Sequence, residues 1–425
     1  VGDKRRFIFK IVNKSNDDFY FSEENPISLE TLNNNGFKVL SSIPLVLRSG
    51  NGASFAIEFT SLKKEEVFAK IVIKNKFETT KNIVFKIKSG GNDWSVIKDA
   101  NMKNLEISDN AIFLSENILY FAYKDSFNND KITLKKLENS KWSVVGRAGF
   151  SSGSVSNINI FVRNKNIYTA FKDGAKSGKA SVMKYSESGW EYVGIQGFSE
   201  KQANYISFYG DKDFLYLAFQ DAAYNNRLSV MKYSNDKWEY VGNQGISLGE
   251  ASYVTIFALD KIPYVGFSDG GNEKRSTVYY FKDEIWRSLG TEGFSEGEAS
   301  YNSIFTENEN VYLGFRDNLN SKIRVAKYKD KGWQDIDYNG VSGKNGYDGK
   351  IFVKENQVYI AYKDGDCDSK LSVSKYNGYS WEKIGNALSL GDAANINITG
   401  NENSIFVSFI DKGENNSIKI LKLNL

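Results

Sequence analysis

Residues 190–237 read WEYVGIQGFSEKQANYISFYGDKDFLYLAFQDAAYNNRLSVMKYSNDK, and at Trp238 the chain starts the same text again with WEYVGNQGISLGEASY. All seven tryptophans, Trp94, Trp142, Trp190, Trp238, Trp286, Trp333 and Trp381, fall on this frame, five steps of 48 residues and one of 47. A second marker keeps the same frame: Asp125, Asp173, Asp221, Asp269, Asp317, Asp364 and Asp411 each close a Tyr/Phe-rich run at steps of 48 or 47. Self-similarity of this length carried by short β-type runs means a propeller or a solenoid.

The quoted unit divides into four strands, WEYVG (190–194), YISFYG (205–210), FLYLAFQD (214–221) and RLSVMKYS (227–234), separated by turns rich in Gly, Asn, Asp and Ser. Helical periodicity is missing. Seven such units close into a ring that leaves only short, protected strand edges, whereas an open β-solenoid has shorter repeats. The last unit stops at SIKILKLNL (417–425), which aligns with RLSVMKYS, so it lacks a Trp strand; Trp94 supplies a spare one at the other end. The seventh blade is therefore expected to take its outermost strand from residues near 94–97.

The runs AYKD to GRAGFSSG (122–153), AFKD to GIQGFSE (170–200), AFQD to GNQGISLGEASY (218–253) and GFSEGEASY with GFRD (up to 317) carry a resemblance. They are similar to the seven-bladed β-propeller repeats of bacterial surface and secreted proteins. The resemblance implies recognition at a cell surface and a secreted or surface location.

Before Trp94 the repeat is absent. Alternating apolar positions (Phe7, Phe9, Ile11; Phe55, Ile57, Phe59; Ala69, Ile71, Ile73) lie on strands 6–13, 54–59 and 68–75, which describes a small β-sandwich. The order F-x-I-x-N-x-S, a Ser49-Gly50 turn before FAIEF, then AKIVIKN resembles the abnormal-spindle/hydin-type immunoglobulin-like domains, which implies a spacer or docking module. SGGND (89–93) reads as a short linker. The expected fold is thus all-β: an immunoglobulin-like sandwich over 1–90 and a seven-bladed propeller of four-stranded blades over 91–425.

Composition narrows the function. No apolar run approaches the length of a membrane span. The chain opens VGDKRRF, with neither Met nor an apolar leader, which suggests a processed or truncated start. Net charge is +3, and the repeat region holds 40 basic against 42 acidic residues, so no general phosphate-binding surface is expected and nucleic acid is not a partner. Histidine is absent, which removes Ser-His-Asp and Cys-His nucleophiles and His-ligated metals but leaves carboxylate chemistry and oxygen-ligated calcium.

Several residues carry candidate chemistry. The seven repeated Asp residues suit the fixing of turns, since a carboxylate accepts backbone N–H bonds, and the Trp series suits packing between blades. Asp364, Asp366 and Asp368 have the alternate spacing of a calcium loop, but no Glu follows at the twelfth position, so a solvated acidic turn is expected there and no cofactor. Cys367 lies among those carboxylates, which disfavour its thiolate. Arg227, Arg275 and Arg316 would resemble a sialidase centre if they clustered, but the S-x-D-x-G-x-T-W turns are absent.

The stronger candidate is a ring. With the Trp strand outermost, the GFS-x-G-x-A loops and the Asp loops share one face of the propeller. Where each innermost strand begins stand Asn157, Tyr205, Tyr253, Tyr301, Asp348 and Asn395, side chains that give flat apolar area and hydrogen bonds to sugars or polypeptide; plugging of the channel mouth is the competing role. The opposite face, with turns such as SNDK and YGDKD, reads as solvated surface. Two functions follow: a non-enzymatic protein that binds a surface glycan or protein, or a carbohydrate-active enzyme with carboxylates at the channel mouth. Near-equivalent blades favour the first, because catalysis needs an acid and a base in different environments. An intracellular scaffold is a third reading.

Overall fold

The computed structural model describes residues 4–22, 26–31, 37–40, 43–60, 65–77, 80–89, 94–97, 108–343 and 345–425. The chain divides into two compact units, Val1–Asp93 and Trp94–Leu425. Most of the linker, residues 90–93, and most of the loop after the first Trp strand, 98–107, lie outside the described residues.

In the first unit, one three-stranded sheet has the order Lys4–Val12, Gly52–Thr60, Phe37–Val39, and another has Ile27–Thr31, Glu65–Lys74, Thr80–Ser89. Phe55 and Ile57 of the first sheet share one core with Ile71 and Ile73 of the second, together with Phe21, Ile43 and Leu47. Period-2 alternation produces this by sending every second side chain to the same face. The side chains of Phe7, Phe59 and Ala69 are outside the described residues. The F-x-I-x-N-x-S motif has a local job. Asn13 donates from Nδ2 to the carbonyls of Asp17 (2.7 Å) and Leu47 (2.9 Å) and accepts from the Ser15 amide (3.1 Å), while Ser49 donates from Oγ to the Ser15 carbonyl (2.7 Å).

The second unit is a β-propeller. Among the described residues it holds seven four-stranded antiparallel sheets, covering 110–144, 155–192, 203–240, 251–288, 299–335, 346–385 and 393–424. The first strands of these sheets touch in cyclic order, and the first strand of the seventh returns to that of the first, which closes the ring around a channel. The seventh sheet takes its fourth strand from Trp94–Val96, paired antiparallel as Leu421 to Val96 and Leu423 to Trp94. Trp94 then donates from Nε1 to the Ile384 carbonyl of the sixth blade (2.9 Å).

That indole bond repeats at four of the other six tryptophans, Trp142 and Trp381 being the exceptions. Trp190, Trp238, Trp286 and Trp333 donate to Val145, Val193, Val241 and Leu289 of the preceding blade, at 2.6–3.0 Å. Phe150, Phe198 and Phe294 of the GFS loops stack face to face on Trp190, Trp238 and Trp333. The Ser that follows is buried at Ser151, Ser199, Ser247 and Ser295 and accepts a third-strand amide. These loops are therefore blade-to-blade joints.

Candidate functional site

Each inner strand from the second blade onward starts with a register shift, between Ser156 and Asn159, Asn204 and Ser207, Ser252 and Thr255, Ser300 and Ser303, Tyr347 and Lys350, and Ala394 and Asn397. Two residues there face one on the neighbouring strand, which is a β-bulge, a device that re-aims side chains at sheet rims. The first bulge residue is left-handed in every case: Asn157 (φ 53°), Tyr205 (48°), Tyr253 (49°), Tyr301 (55°), Asp348 (48°) and Asn395 (47°). Asn and Asp tolerate this region, whereas a bulky Tyr in it is an outlier. Three tyrosines in a row hold that conformation.

The structure divides these six positions into two groups. Asn157, Asp348 and Asn395 line a polar cavity of about 220 Å³ on the axis. Tyr205, Tyr253 and Tyr301 form an arc of tilted rings with centroids 5.3 and 5.0 Å apart. Burial pushes the Tyr253 and Tyr301 hydroxyls above their ordinary range, so both are protonated donors near neutrality. A seventh member, Asp109, was not among the sequence candidates, although it lies fifteen residues after Trp94, the interval that separates Trp142 from Asn157. It lines the same cavity, accepts the Asn157 amide, and burial pushes its carboxyl up to about 6.

One layer deeper, inner strands of adjacent blades are hydrogen-bonded: Asn159, Ser207, Thr255 and Ser303 accept the amides of Phe208, Ile256, Ile304 and Ile351 at 3.0–3.3 Å. Asn397 reaches Asn110 (3.1 Å), so the last blade is tied to the first in the same layer. The cavity floor is thus a fixed scaffold rather than a set of loops.

The other candidates are placed elsewhere. The seven Asp residues are all buried; six of them cap a 3-10 turn by accepting the amide two residues on, and Asp317 of the fifth blade caps an ordinary turn by accepting the amides of Leu319 and Asn320. Asp364 of the acidic loop is ion-paired to Lys383 (2.6 Å), and no group of three His, Cys, Asp or Glu able to hold a metal occurs among the described residues. Cys367 donates to Asn386 Oδ1 (3.0 Å), and burial, then Asp364, pushes its thiol up.

The three arginines do not cluster. Arg227 and Arg275 face Asp221 and Asp269 at the start of third strands. Arg316 straps the fifth blade to the sixth, donating from Nε to the Gly346 carbonyl (2.9 Å) and lying over the Tyr347 ring (4.3 Å). Arg324, unmarked in sequence, is buried between Asp317 (2.9 Å) and Asp335 (2.6 Å). It replaces the hydroxyl that Thr133 and Ser181 offer to Asp125 and Asp173. Burial raises the Asp335 carboxyl against the pull of Arg324.

The opposite mouth differs from the solvated surface expected. It opens a cavity of about 590 Å³ lined by Phe113, Phe161, Tyr209 and Phe257, with Arg163 and Glu307 among its polar groups.

No protein family and no curated protein matches the sequence. Solved structures do match. Polysaccharide lyase Uly1 superposes with a TM-score of 0.50 at 12% identity, over 74% of this chain and 89% of that one. An ulvan lyase of family PL25 gives 0.51 at 13% identity, over 75% and 94%. The SapL1 lectin, solved with alpha methyl fucoside, gives 0.47 at 15% identity, over 67% and 99%. The likeness to the lyases is one of fold. It places this ring among known all-β architectures and leaves the site to be argued from its own residues.

Proposed function

We propose that this protein is a non-enzymatic recognition protein that binds carbohydrate at the bulged mouth of the channel. The observation that carries the reading is the run of three tyrosines held at positive φ on consecutive blades. Strained backbone persists where its surroundings over-determine it, and such positions concentrate at ligand sites. Here the strain turns three half-open aromatic rings and their hydroxyls into one arc beside a polar cavity, which is the amphipathic surface a sugar ring requires. The protein acts at a cell surface or outside the cell, with the sandwich as its spacer; this part of the proposal rests on the two sequence resemblances.

A glycan array, run beside a pull-down from surface extracts, tests the reading. Saccharide binding is expected, and replacing Tyr205, Tyr253 and Tyr301 together by Ser weakens it at least about tenfold with the fold intact, the lower end of a hot-spot effect. Capture of proteins only, or full affinity in the triple variant, rejects it.

The second reading is a polysaccharide lyase or hydrolase. Its support is the fold of the two lyases and the carboxyl of Asp109, pushed up to about 6 at the cavity wall. Incubation of the array hits with the protein separates the readings: release of unsaturated or shortened oligosaccharide that Asp109→Asn abolishes establishes the enzyme.

A further inference from the structure

The bulges leave backbone donors at the cavity. At the second bulge residue the side chain turns away from the axis: Ile158, Ile206, Val254 and Ile396 pack into the apolar cores of the blades. Asn302 is bonded to Ser268 and Ser276. All five nevertheless line the cavity, so what they present to it is main chain.

In two of the five the donor is satisfied by a carboxylate from the blade before. Asp109 accepts the amides of Asn157 and Ile158, and Asp348 accepts the amide of Ile396 (3.1 Å). On the third, fourth and fifth blades the preceding ring residue is Asn157, Tyr205 or Tyr253. The residues Ile206, Val254 and Asn302 have no partner in the strand register, and among the described residues no side-chain or loop carbonyl acceptor meets their N–H groups. Successive amides beside a left-handed residue form a concavity that favours an anionic oxygen. The molecule supplies the proof of fit itself, since its own Asp carboxylates occupy the equivalent places.

We propose that the three open donors at Ile206, Val254 and Asn302 cradle an oxyanion of an acidic saccharide, the carboxylate of a uronic acid residue whose ring lies on the tyrosine arc. Lys350, the one basic side chain among the described residues lining the cavity, supplies the countercharge. This rests on the glycan-binding reading and specifies its ligand. The Asp ring residues close their neighbours' donors, whereas Asn157, Tyr205 and Tyr253 leave them open, so at the two tyrosines a single residue both adds sugar contact area and uncovers the anion site.

The test uses the full chain with glucuronate, glucose and glucose sulfate in amide-resolved NMR titrations. Glucuronate is expected to move the amide signals of Ile206, Val254 and Asn302, which glucose does not; movement by the sulfate alone overturns the choice of carboxylate. Tyr253→Asp plants a carboxylate of the Asp109 kind against the fifth blade, in a backbone conformation Asp tolerates. It is expected to lower the glucuronate-to-glucose affinity ratio at least about fivefold, an effect that survives high salt, where simple repulsion is screened. Tyr253→Ser removes the ring but leaves the ratio unchanged. Equal ratios in the two variants, or an effect of Tyr253→Asp that salt abolishes, overturn the cradle. If array glycans bind through the tyrosine arc with no acidic preference, the glycan reading stands and the cradle falls; if no saccharide binds there, both fall.

Discussion

The two mouths of the channel are the two ends of the same seven inner strands, yet they are built on opposite plans. At one end every blade from the second to the seventh is bulged, and the exposed position changes from blade to blade: Asn157, Tyr205, Tyr253, Tyr301, Asp348, Asn395. At the other end the strands are regular and the position hardly varies. Phe113, Phe161, Tyr209, Phe257, Phe305 and Phe352 form an unbroken chain of ring contacts, with centroids 4.1–5.6 Å apart. Only Thr399 departs from it, and it accepts the Leu114 amide of the first blade (3.3 Å). Uniformity around a ring serves closure, which every blade needs equally. Variation marks the end where the blades have different work, and the larger cavity is therefore not by itself the better candidate.

The largest effect that can be aimed at this contrast removes both ends at once. Deleting Trp94–Ile97 withdraws the strand that closes the ring, and cooperative thermal unfolding of the propeller is expected to disappear; a variant starting at Gly91 keeps it. At the aromatic end, Phe257→Ala is expected to cost about 2–3 kcal/mol in chemical denaturation, below the range for a fully buried ring because Phe257 is half-buried. Saccharide affinity should not change. Asp221→Ala, which orphans the Ala223 amide (2.9 Å) and the Tyr240 hydroxyl (3.3 Å), is expected to cost about 1–3 kcal/mol with the same indifference to ligand. Loss of binding without loss of stability in either variant would erase the division between the two ends.

The smallest effect sharpens it. Burial pushes the folded Asp109 carboxyl up to about 6, above the ordinary carboxylate range, so the folded state holds that proton more tightly than the unfolded one. Its contribution to stability is full below about pH 4 and is lost as pH rises through about 6. Asp109→Asn is expected to flatten the fall in melting temperature between those values, measured against the parent protein. An unchanged slope would mean that this wall of the cavity is solvated.

How much of this was legible in the sequence follows from what repeats. The Trp and Asp series fix the blade frame, the shared seventh blade and the turn role of Asp221, because each depends on residue type at a constant interval. The six ring positions came from the same interval. Asp109 did not, because the first unit carries DANMKNLEISD in place of the GFS loop and the eye loses the frame there. The bulges were illegible for a different reason: Tyr205 reads as an ordinary strand residue, and nothing in its type announces a left-handed φ. Arg324 escaped notice as a single replacement of a hydroxyl. Phe257 escaped because an aromatic at a channel wall and one in a core look alike in sequence.

The pairing of Trp94 with Leu423 also sets a schedule for the newborn chain. At about 5–20 residues per second, the strand at 94–96 leaves the ribosome tens of seconds before the strand that receives it. Throughout that interval six blades can stack while the arc stays open, with Trp94 waiting beside an unfinished edge. Closure waits for the seventh blade. A cell that makes this protein must shield one growing sheet edge for that interval, and any stall beyond the sixth blade leaves a sticky crescent in place of a ring.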